Sequence, residues 1–362
     1  MDKQTVTQVI EDCHMSGQKA AVSFCSHVPE EILEAAGFCS IRLLHTEDVE
    51  DISTQALPKN LCPVVKRCYS ICEDGTLAEA DLILAESSCD GKKKMYELLT
   101  RQEQLYYYQV PQGEDREYVL PLIRSECRYL MAMLEKRFGV KVTEEELRAA
   151  CHRINQERQS VMSLLEIQMQ MPPAAYGYEI LQILEKNRAI ADRAARTEAN
   201  VAARNAFLSR KSPVPSDAKR VLVTGCPISG VYHKVVNAIE QNGGVAVCFE
   251  NCEAVKSCRR RVDTDSADLI GAIAACYQNT ACAIMAPNPL RFALIDELVE
   301  QYHVDGIIDL TLQTCHSYSV ERDKMRRFCI DREIPYIPVE TDFSDADMGQ
   351  ITTRISAFIE IL

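Results

Sequence analysis

The feature that most constrains the fold of this chain is a repeated pattern in which a short apolar run leads into a loop and then into a helix. The pattern fills two blocks of the sequence, one before residue 111 and one after residue 217. Apolar strands that alternate with helices over short connections are typical of parallel sheets covered by helices on both faces. The sequence therefore predicts an α/β protein with two parallel sheets of the doubly wound type.

The first block begins with an amphipathic helix over residues 3–17. Strands are then predicted at Ala20–Phe24, Ile41–Leu44, Ala80–Ala85 and Leu105–Val110. Pro29 and Pro63 each suit the first position of a helix, so two of the connections end at helix starts. This block is predicted to be an N-terminal α/β domain of residues 1–135.

The middle of the chain changes to long helical segments, and residues 136–211 are predicted to be a helical connection. A Pro- and Ser-rich linker over residues 211–217 then opens a second α/β domain of residues 212–362. The strands predicted in it are Val221–Thr224, Val245–Phe249, Cys282–Met285, Gly306–Leu310 and Pro335–Val339.

Cys89 occupies the junction between a predicted buried strand and a helix that carries Lys92, Lys93 and Lys94. The free backbone N–H groups at the helix start, the helix dipole and the lysines all favour a thiolate. A thiolate in this position is a nucleophile or a metal ligand, and no partner base lies nearby in the sequence. We favour the ligand over the nucleophile, and over the alternative of a small buried hydrophobic residue.

Other cysteines fall where predicted parallel strands end, an edge at which ligands gather in doubly wound folds. Cys62 precedes Pro63 at a helix start that can reach the same edge. The remaining cysteines at such positions are Cys25, Cys226, Cys252 and Cys315. Because these thiols are dispersed and no C-x-x-C pair occurs, we expect a cluster assembled from distant loops rather than a zinc knuckle.

Composition excludes several classes of protein. The net charge of −13 argues against nucleic acid as a partner, and Arg259–Arg261, the one basic run, is interpreted as a solvated helix face. No apolar run approaches the roughly 18 residues of a membrane-spanning helix, and the start has no signal-peptide pattern. The 17 cysteines then indicate reduced thiols in the cytoplasm.

Motifs for the common chemistries are missing from the sequence. Gly225–Gly230 has the two glycines of a P-loop, but Val231 and Tyr232 stand where Lys and Ser or Thr belong. No nucleophile elbow, zinc-protease motif or dinucleotide fingerprint occurs either. If the protein uses the energy of ATP, a partner must supply it.

Several stretches together resemble one family. The most specific are residues 89–97, beginning Cys89-Asp90-Gly91-Lys92, and the closing segment of residues 340–350. Supporting stretches are residues 24–31, 35–37, 61–66, 224–227, 249–252 and 315–318 with Glu321. The chain resembles the D-component family of 2-hydroxyacyl-CoA dehydratases and benzoyl-CoA reductases, and within it most closely the double-cubane iron–sulfur reductase branch.

The resemblance implies a pair of Rossmann-like domains with an iron–sulfur cluster in the cleft between them. It assigns the metal ligands to the matching cysteines, Cys62, Cys89 and Cys315. The cofactor would be a 4Fe–4S cluster or a double-cubane 8Fe–9S cluster shared across a homodimer. A separate activator ATPase with its own iron–sulfur cluster would inject low-potential electrons.

Further site residues are predicted around this cluster. His27 and His316 are candidate proton donors, with a hydrogen-bonded loop histidine as the alternative for each. Glu250 is a weaker candidate that would act beside them. Lys92 and Lys93 would neutralise cluster charge or face solvent, and Cys252 would line the cofactor site.

We therefore expect an oxygen-sensitive cytoplasmic reductase component that acts on a small molecule or an acyl-CoA. One alternative is a subunit of a 2-hydroxyacyl-CoA dehydratase, which removes water from an acyl-CoA. A second is a non-catalytic electron carrier or cluster scaffold, and a third is a relative that has lost its cluster. No motif diagnostic of coenzyme A is present.

Overall fold

The computed structural model describes residues 1–113 and 116–362. Its first elements are α1 (Lys3–Met15), β1 (Lys19–Ser23), α2 (Glu30–Ala35), β2 (Phe38–Arg42), α3 (Pro63–Glu73), β3 (Leu82–Glu86), α4 (Asp90–Met95), β4 (Leu105–Tyr108), α5 (Val119–Phe138), α6 (Glu144–Leu165), α7 (Gly177–Arg188) and α8 (Arg193–Ser209). The chain continues with β5 (Lys219–Gly225), α9 (Tyr232–Glu240), β6 (Gly244–Glu250), α10 (Val255–Cys258), α11 (Leu269–Gln278), α12 (Pro289–Gln301), β7 (Gly306–Leu312), α13 (His316–Asp331), β8 (Tyr336–Thr341) and α14 (Met348–Ile361).

The described residues divide into two compact units, each built from three segments of the chain. Unit 1 comprises residues 1–159, 188–197 and 259–288, and unit 2 comprises residues 160–187, 198–258 and 289–362. The domain boundaries after residues 135 and 211 stay a prediction. In the described parts of the chain, no helix is long and apolar enough to cross a membrane.

Unit 1 contains a four-stranded parallel sheet in the order β2-β1-β3-β4. Ala21 of β1 pairs with Ser40 of β2 on one side and with Leu82 of β3 on the other. Strands β1 and β3 are buried along almost their whole length. Buried apolar residues from α2, α5, α6 and α11 pack with the sheet in one core.

Unit 2 contains a second four-stranded parallel sheet, in the order β6-β5-β7-β8. Strands β5, β6 and β7 are almost entirely buried. Gly225 ends β5 with a φ of +114°, and a Cβ placed there would lie 2.0 Å from the Leu310 carbonyl oxygen of β7. Only glycine permits this close approach, which brings the loop after β5 against β7.

The strand order places a topological switch point in each sheet. In unit 1 the chain leaves β1 toward β2 and then crosses over to β3, and in unit 2 it leaves β5 toward β6 and crosses to β7. Loops at the carboxyl ends of such strand pairs diverge and form the crevice in which doubly wound proteins bind ligands. The loops after β1, β3, β5 and β7 are therefore the places to look for a site.

The predicted fold class is confirmed, since the structure is α/β with two parallel sheets. The strand predicted at Cys282–Met285 is wrong. The Met285 N–H donates to the Cys282 carbonyl at 3.0 Å, which closes a turn, and the Ala286 N–H donates to the Gln112 carbonyl at 2.8 Å. A run of four apolar residues carries no periodicity that separates a strand from a buried turn.

The interpretation of Arg259–Arg261 as a solvated helix face is also wrong, because the segment lies outside helices and Arg260 is buried. The Arg260 guanidinium donates to Thr280 Oγ1 at 2.7 Å and lies 4.1 Å from the ring centre of Tyr277. A buried guanidinium is stable only when its donors are satisfied in this way. Arg260 thus makes stabilising contacts with Thr280 and Tyr277 in the interior of unit 1.

Candidate functional site

Exposure separates the cysteines into two groups. Thirteen of the 17 are buried, and the partly exposed ones are Cys25, Cys62, Cys89 and Cys315. All three residues predicted to hold metal are therefore in the accessible group. Cys89 and Cys315 lie directly after β3 and β7, as do Cys25 after β1, Cys226 after β5 and Cys252 after β6, so the predicted placement of these cysteines at strand ends is confirmed. Cys62 lies at the start of α3, far along the chain from the end of β2, and its reach to the carboxyl edge stays a prediction.

Cys62 and Cys89 occupy equivalent positions in unit 1. Cys62 is the N-cap residue of α3, with Pro63 at the first helical position, and Cys89 is the N-cap residue of α4. The two thiols lie close enough for Cys62 to raise the pKa of the Cys89 thiol. The thiols at these two helix starts are therefore near enough to interact electrostatically.

The local electrostatics differ from the expectation that Cys89 favours a thiolate. Burial raises the pKa of the Cys89 thiol, and the ammonium of Lys92 offsets this effect only in part. The thiols of Cys25 and Cys68 show the same cause, since burial raises their pKa values to about 11 and about 12. These sulfur atoms need a nearby positive charge or a metal ion to be held as thiolates at neutral pH.

Lys92 anchors the start of α4 instead of pointing to solvent. Its ammonium forms a buried ion pair with Glu86, the last residue of β3, and donates to the Phe24 carbonyl at 2.7 Å. Glu86 also accepts hydrogen bonds from the Tyr96 hydroxyl at 2.9 Å and from the Ser88 hydroxyl at 3.3 Å. Burial lowers the pKa of Lys92, but the combined attraction of Glu86 and of the sulfur atoms of Cys25, Cys68 and Cys89 outweighs it, and the net shift is upward.

The neighbouring Lys93 is exposed, so the two lysines predicted to bind the cofactor have different surroundings. Lys92 contributes a fixed positive charge beneath Cys89, because its partner atoms hold the side chain in one place. Lys93 lies on the outer face of α4, in contact with solvent. Their roles in binding a cofactor stay predictions.

Cys315 takes the corresponding place in unit 2. It is the N-cap residue of α13 and follows β7, the strand that occupies the position of β3 in the other sheet. The preceding residue, Thr314, has a φ of 57°. This left-handed conformation is rare for a β-branched residue, so the backbone is strained next to the thiol.

A buried network of charges lies beside the start of α13. Glu250, at the end of β6, pairs with the Lys256 ammonium at 3.0 Å and the Arg291 guanidinium at 3.5 Å. Thr224 donates its hydroxyl to Glu250 at 2.6 Å. The Lys256 ammonium also donates to the hydroxyl of Tyr318, in the first turn of α13, at 2.6 Å.

The two helix starts share one arrangement. The residue three positions after the N-cap cysteine is Lys92 in α4 and Tyr318 in α13, and each reaches a buried glutamate network at the end of a strand. Such contacts fix the helix start relative to the sheet and hold the cysteine above it. The arrangement can present a thiol of low mobility at a carboxyl edge of each sheet.

The remaining predicted site residues differ in their exposure to solvent. His27 is buried in the loop after β1, and Cys252 is buried in the loop after β6. His316 is exposed as the first residue of α13. Glu250 is fully buried, and both oxygens of its carboxylate face cations of its own unit.

The sequence reasoning missed the acidic and basic residues that hold these loops in place. Glu86 stands at the end of an apolar run, and a charge in that position is a usable signal for a strand end that meets a polar network. Arg291 has no comparable signal, because it only becomes a neighbour of Glu250 through the fold. Within residues 1–113 and 116–362, no group of three or more His, Cys, Asp or Glu side chains is arranged to hold a metal ion.

The donor chemistry of the accessible cysteines fits an iron–sulfur cluster, which is bound through cysteine sulfur. Cys62 and Cys89 would supply two such donors from helix starts in unit 1, and Cys315 would supply one in unit 2. Buried cationic groups accompany them in both units, Lys92 in one and Lys256 with Arg291 in the other. Each of these cations is paired with a buried glutamate, Glu86 in unit 1 and Glu250 in unit 2.

Comparison with known proteins identifies the class. The family model of the 2-hydroxyglutaryl-CoA dehydratase D-component matches residues 25–362, so the chain belongs to this family. Its members are components of 2-hydroxyacyl-CoA dehydratases and benzoyl-CoA reductases. The family expected from the sequence motifs is thereby confirmed.

Particular relatives match over nearly the whole chain. A putative dehydratase subunit, YjiM, of Escherichia coli (strain K12) is 35% identical over 99% of this chain and 96% of its own length. The (R)-phenyllactyl-CoA dehydratase beta subunit of Clostridium sporogenes is 22% identical over 98% and 94%. A benzoyl-CoA reductase subunit from Thauera aromatica is 21% identical over 92% and 88%.

Proposed function

We propose that the protein is the iron–sulfur component of an ATP-dependent reductase system. In this proposal Cys62, Cys89 and Cys315 hold the cluster, and a separate activator ATPase delivers electrons to it. The electrons then pass to a small molecule or an acyl-CoA. The protein works as a homodimer, in which a double-cubane cluster is shared between the subunits.

The observation that carries the proposal is the selective exposure of cysteine. Metal binding from a loop requires an accessible thiol, and Cys62, Cys89 and Cys315 belong to the four cysteines that are partly exposed, each as the N-cap residue of a helix. Backbone N–H groups at a helix start and the positive end of its dipole stabilise anionic sulfur. Membership of a dehydratase and reductase family supports the same conclusion.

When bound, an iron–sulfur cluster supplies one-electron transfer at a potential set by hydrogen bonds, charge and burial. The side chains of this protein would supply charged groups near the cluster and would fix the positions of its ligands. Lys92 holds a positive charge beside Cys89, and its pairing with Glu86 keeps α4 from shifting. In this proposal His316, which is exposed beside Cys315, gives a proton to the reduced substrate.

A second candidate function is favoured by the names of the relatives. The Escherichia coli and Clostridium sporogenes relatives are named as dehydratase subunits. In this candidate the protein is one subunit of a 2-hydroxyacyl-CoA dehydratase and needs a different partner subunit. The same three cysteines would then hold a cluster that takes part in the removal of water.

The test is turnover by the single chain. Protein purified without oxygen is mixed with an activator ATPase of this family, Mg-ATP and a strong reductant, and it is assayed for reduction of acetylene and for dehydration of (R)-2-hydroxyacyl-CoA esters. ATP-dependent reduction by the chain alone supports the reductase. Dehydration that appears only after a second subunit is added replaces it with the dehydratase, and a reducible cluster without either reaction leaves an electron carrier.

A further inference from the structure

A cavity of about 230 Å³ lies beside the outer edge of the unit 1 sheet. In the described part of the chain, β2 stands at the end of the strand order, with β1 as its one neighbouring strand. Phe38, Cys39 and Ser40 of β2 form part of the cavity wall. Exposed residues, among them Arg153 and Asp192, form another part, so the cavity reaches the surface.

The volume of the cavity limits what it can hold. One water molecule takes up roughly 30 Å³ in the liquid, so there is room for more than a single water. Pockets for drug-sized molecules measure roughly 300–1,000 Å³, which is more than this cavity offers. The space therefore suits a small ion or a small organic acid.

The hydroxyl of Ser40 is buried at this cavity without a partner. Ser40 is 6% exposed, and among the residues that the structure describes nothing forms a hydrogen bond with its hydroxyl. Buried hydroxyls are nearly always paired, because an unpaired one loses its hydration without any compensation. Since Ser40 lines the cavity, its partner is expected inside it.

The first turn of α8 forms a further part of the wall. Asp192 caps this helix, because its carboxylate accepts from the Ala195 N–H at 2.7 Å and its carbonyl accepts from the Arg196 N–H at 3.0 Å. Arg193 and Ala194 line the cavity, and at the first two helical positions their N–H groups have no acceptor within the helix. These N–H groups and the positive end of the helix dipole favour an anion.

Arg153 of α6 supplies the cation that is open to a ligand. The other two arginines of the wall are neutralised, since Arg193 pairs with Glu34 and Glu157, and Arg196 pairs with Glu157 at 3.1 Å. Arg153 donates to Glu34 through Nε, and no other described residue takes up its two terminal nitrogens. A guanidinium can hold a carboxylate or a phosphate through two parallel N–H groups.

The two carboxylates of the wall already have partners. Glu34 binds Arg153 through one oxygen and Arg193 through the other, and Asp192 accepts from a backbone N–H of α8. The groups left to meet a ligand are N–H donors and the hydroxyl of Ser40, which can also donate. A set of donors selects an acceptor, and the charge of Arg153 favours an anionic one.

We propose that this cavity binds a small oxyanion, a carboxylate or a phosphate. The hydroxyl of Ser40, the guanidinium of Arg153 and the N–H groups at the start of α8 hold it. Among the described residues that line the cavity there is no cysteine of the predicted cluster. The inference therefore does not depend on the proposed function, and each can fail without the other.

The experiment measures protection of Arg153 from phenylglyoxal, a reagent that modifies guanidinium groups. Full-length protein is treated at constant ionic strength with rising concentrations of sodium acetate or, separately, of sodium phosphate, and modified arginines are quantified by mass spectrometry. The proposal predicts that at least one of these anions slows the modification of Arg153 along a saturation curve. Arg148 of the same helix is also partly exposed, and its rate should not change.

Two serine variants separate the site from a general effect of salt. In Ser40→Ala, protection should need roughly ten times more anion, because one hydrogen bond to a charged ligand is lost. This variant deletes an unpaired polar group and is expected to fold. Ser70→Ala removes the buried hydroxyl of α3, which also lacks a partner among the described residues but lies outside the cavity wall. Its protection curve should match that of the wild type.

The two anions distinguish the sources of the oxyanion. Protection by acetate alone supports a carboxylate site, and protection by phosphate alone supports a phosphate site. No saturable protection by either anion, the result expected if water fills the cavity, would overturn the proposal. Equal protection of Arg153 in the wild type and in Ser40→Ala would overturn it as well.

Discussion

Thr314 illustrates how a single residue can carry strain at the candidate site. Its φ of 57° lies in the left-handed region, and it directly precedes Cys315. A non-glycine residue in such a sparsely populated region costs roughly 1–3 kcal/mol, and the cost is high for a β-branched side chain. The fold therefore tolerates an unfavourable backbone conformation at Thr314, in the turn that leads into α13.

Replacing Thr314 with a residue that tolerates this conformation should stabilise the protein. Asparagine adopts left-handed backbone geometry more readily, so Thr314→Asn is expected to raise the free energy of unfolding by about 1 kcal/mol. Urea titration measures the change. The control is Gln313→Asn, at the neighbouring exposed residue, which should change stability by less than about 0.5 kcal/mol. Equal effects of the two substitutions would show that Thr314 is not strained.

At single residues, the sequence allowed some predictions and not others. Cys62 and Cys89 were predicted at helix starts because Pro63 and the end of an apolar run are local signals, and both are N-cap residues. The raised pKa of Cys89 was not predictable, since it follows from burial by the whole fold.

Among the helices, α2 and α6 are joined by a buried ion pair. The Arg158 guanidinium of α6 lies 2.8 Å from a carboxylate oxygen of Glu31 in α2, and both groups are almost fully buried. Tyr277 of α11 donates its hydroxyl to Glu31 at 2.8 Å and accepts from Arg158 at 3.0 Å. Three helices that are distant in sequence thus meet at one polar contact inside the core of unit 1.

Breaking this pair should cost far more than breaking an exposed one. Glu31→Gln leaves the Arg158 charge buried without its partner, and a loss of about 3 kcal/mol in the free energy of unfolding is expected. The matched control is Glu144→Gln, which removes an exposed partner of Arg148 on the same helix. That change should cost less than about 1 kcal/mol. Similar losses for both variants in urea titration would contradict the role given to the buried pair.

Glu240 of α9 holds the start of α7. Its carboxylate accepts hydrogen bonds from the backbone N–H groups of Gly177 at 2.6 Å and Tyr178 at 3.3 Å. Burial nevertheless raises the pKa of Glu240 from 4.5 to about 7, since the backbone donors offset it only in part. The folded state therefore prefers the protonated carboxyl.

This preference predicts a pH-dependent loss of stability. Below pH 4.5 the carboxyl is protonated in both the folded and the unfolded chain, and above pH 7 it is ionised in both, so stability falls as the pH rises between these values. The full difference is no more than roughly 3 kcal/mol at 1.36 kcal/mol per pKa unit. Unfolding of the wild type and of Glu240→Gln is compared at pH 5, 6, 7 and 8.

As the pH rises, the free energy of unfolding of the wild type should fall relative to that of Glu240→Gln. Glu360→Gln, at an exposed residue of α14, serves as the control and should track the wild type at every pH. A difference between wild type and Glu240→Gln that stays constant from pH 5 to pH 8 would show that Glu240 does not titrate in this range.

Local sequence signals predicted many element boundaries. One such signal is the spacing of Thr143 and Glu146 at the start of α6, which is typical of a capping box. The Thr143 N–H donates to Glu146 at 3.0 Å, and the Glu146 N–H donates to the Thr143 hydroxyl at 3.2 Å. The strand predicted at Ile41–Leu44 in fact begins at Phe38. Cys39 and Ser40 are small or polar, so the sequence pattern does not predict them as buried strand residues. Pairing with the parallel strand β1 places both of them inside the sheet, where they are buried.

For the whole molecule, the alternation of strands and helices was enough to predict two parallel sheets, because each connection is local in sequence. Which segments of the chain form each unit was not predictable in the same way. Residues 259–288 belong to unit 1 although they lie between strands of unit 2. Their placement depends on contacts such as that of Asn155 with Val262, in which the two residues are far apart in the chain.

The central claim is that Cys62, Cys89 and Cys315 hold an iron–sulfur cluster. The most direct measurement is iron and acid-labile sulfide per chain in protein purified without oxygen, for the wild type and for alanine variants of these cysteines. Cys72→Ala on α3 and Cys329→Ala on α13 are matched controls, since both thiols are buried on the same helices as two of the predicted ligands.

We predict about four irons per chain in the wild type and in both controls, the content of one cubane per chain or of a double cubane shared by a dimer. We also predict a loss of most of the iron in Cys62→Ala, Cys89→Ala and Cys315→Ala. Iron at background levels in the wild type after anaerobic reconstitution, or full iron content in Cys89→Ala, would contradict the claim.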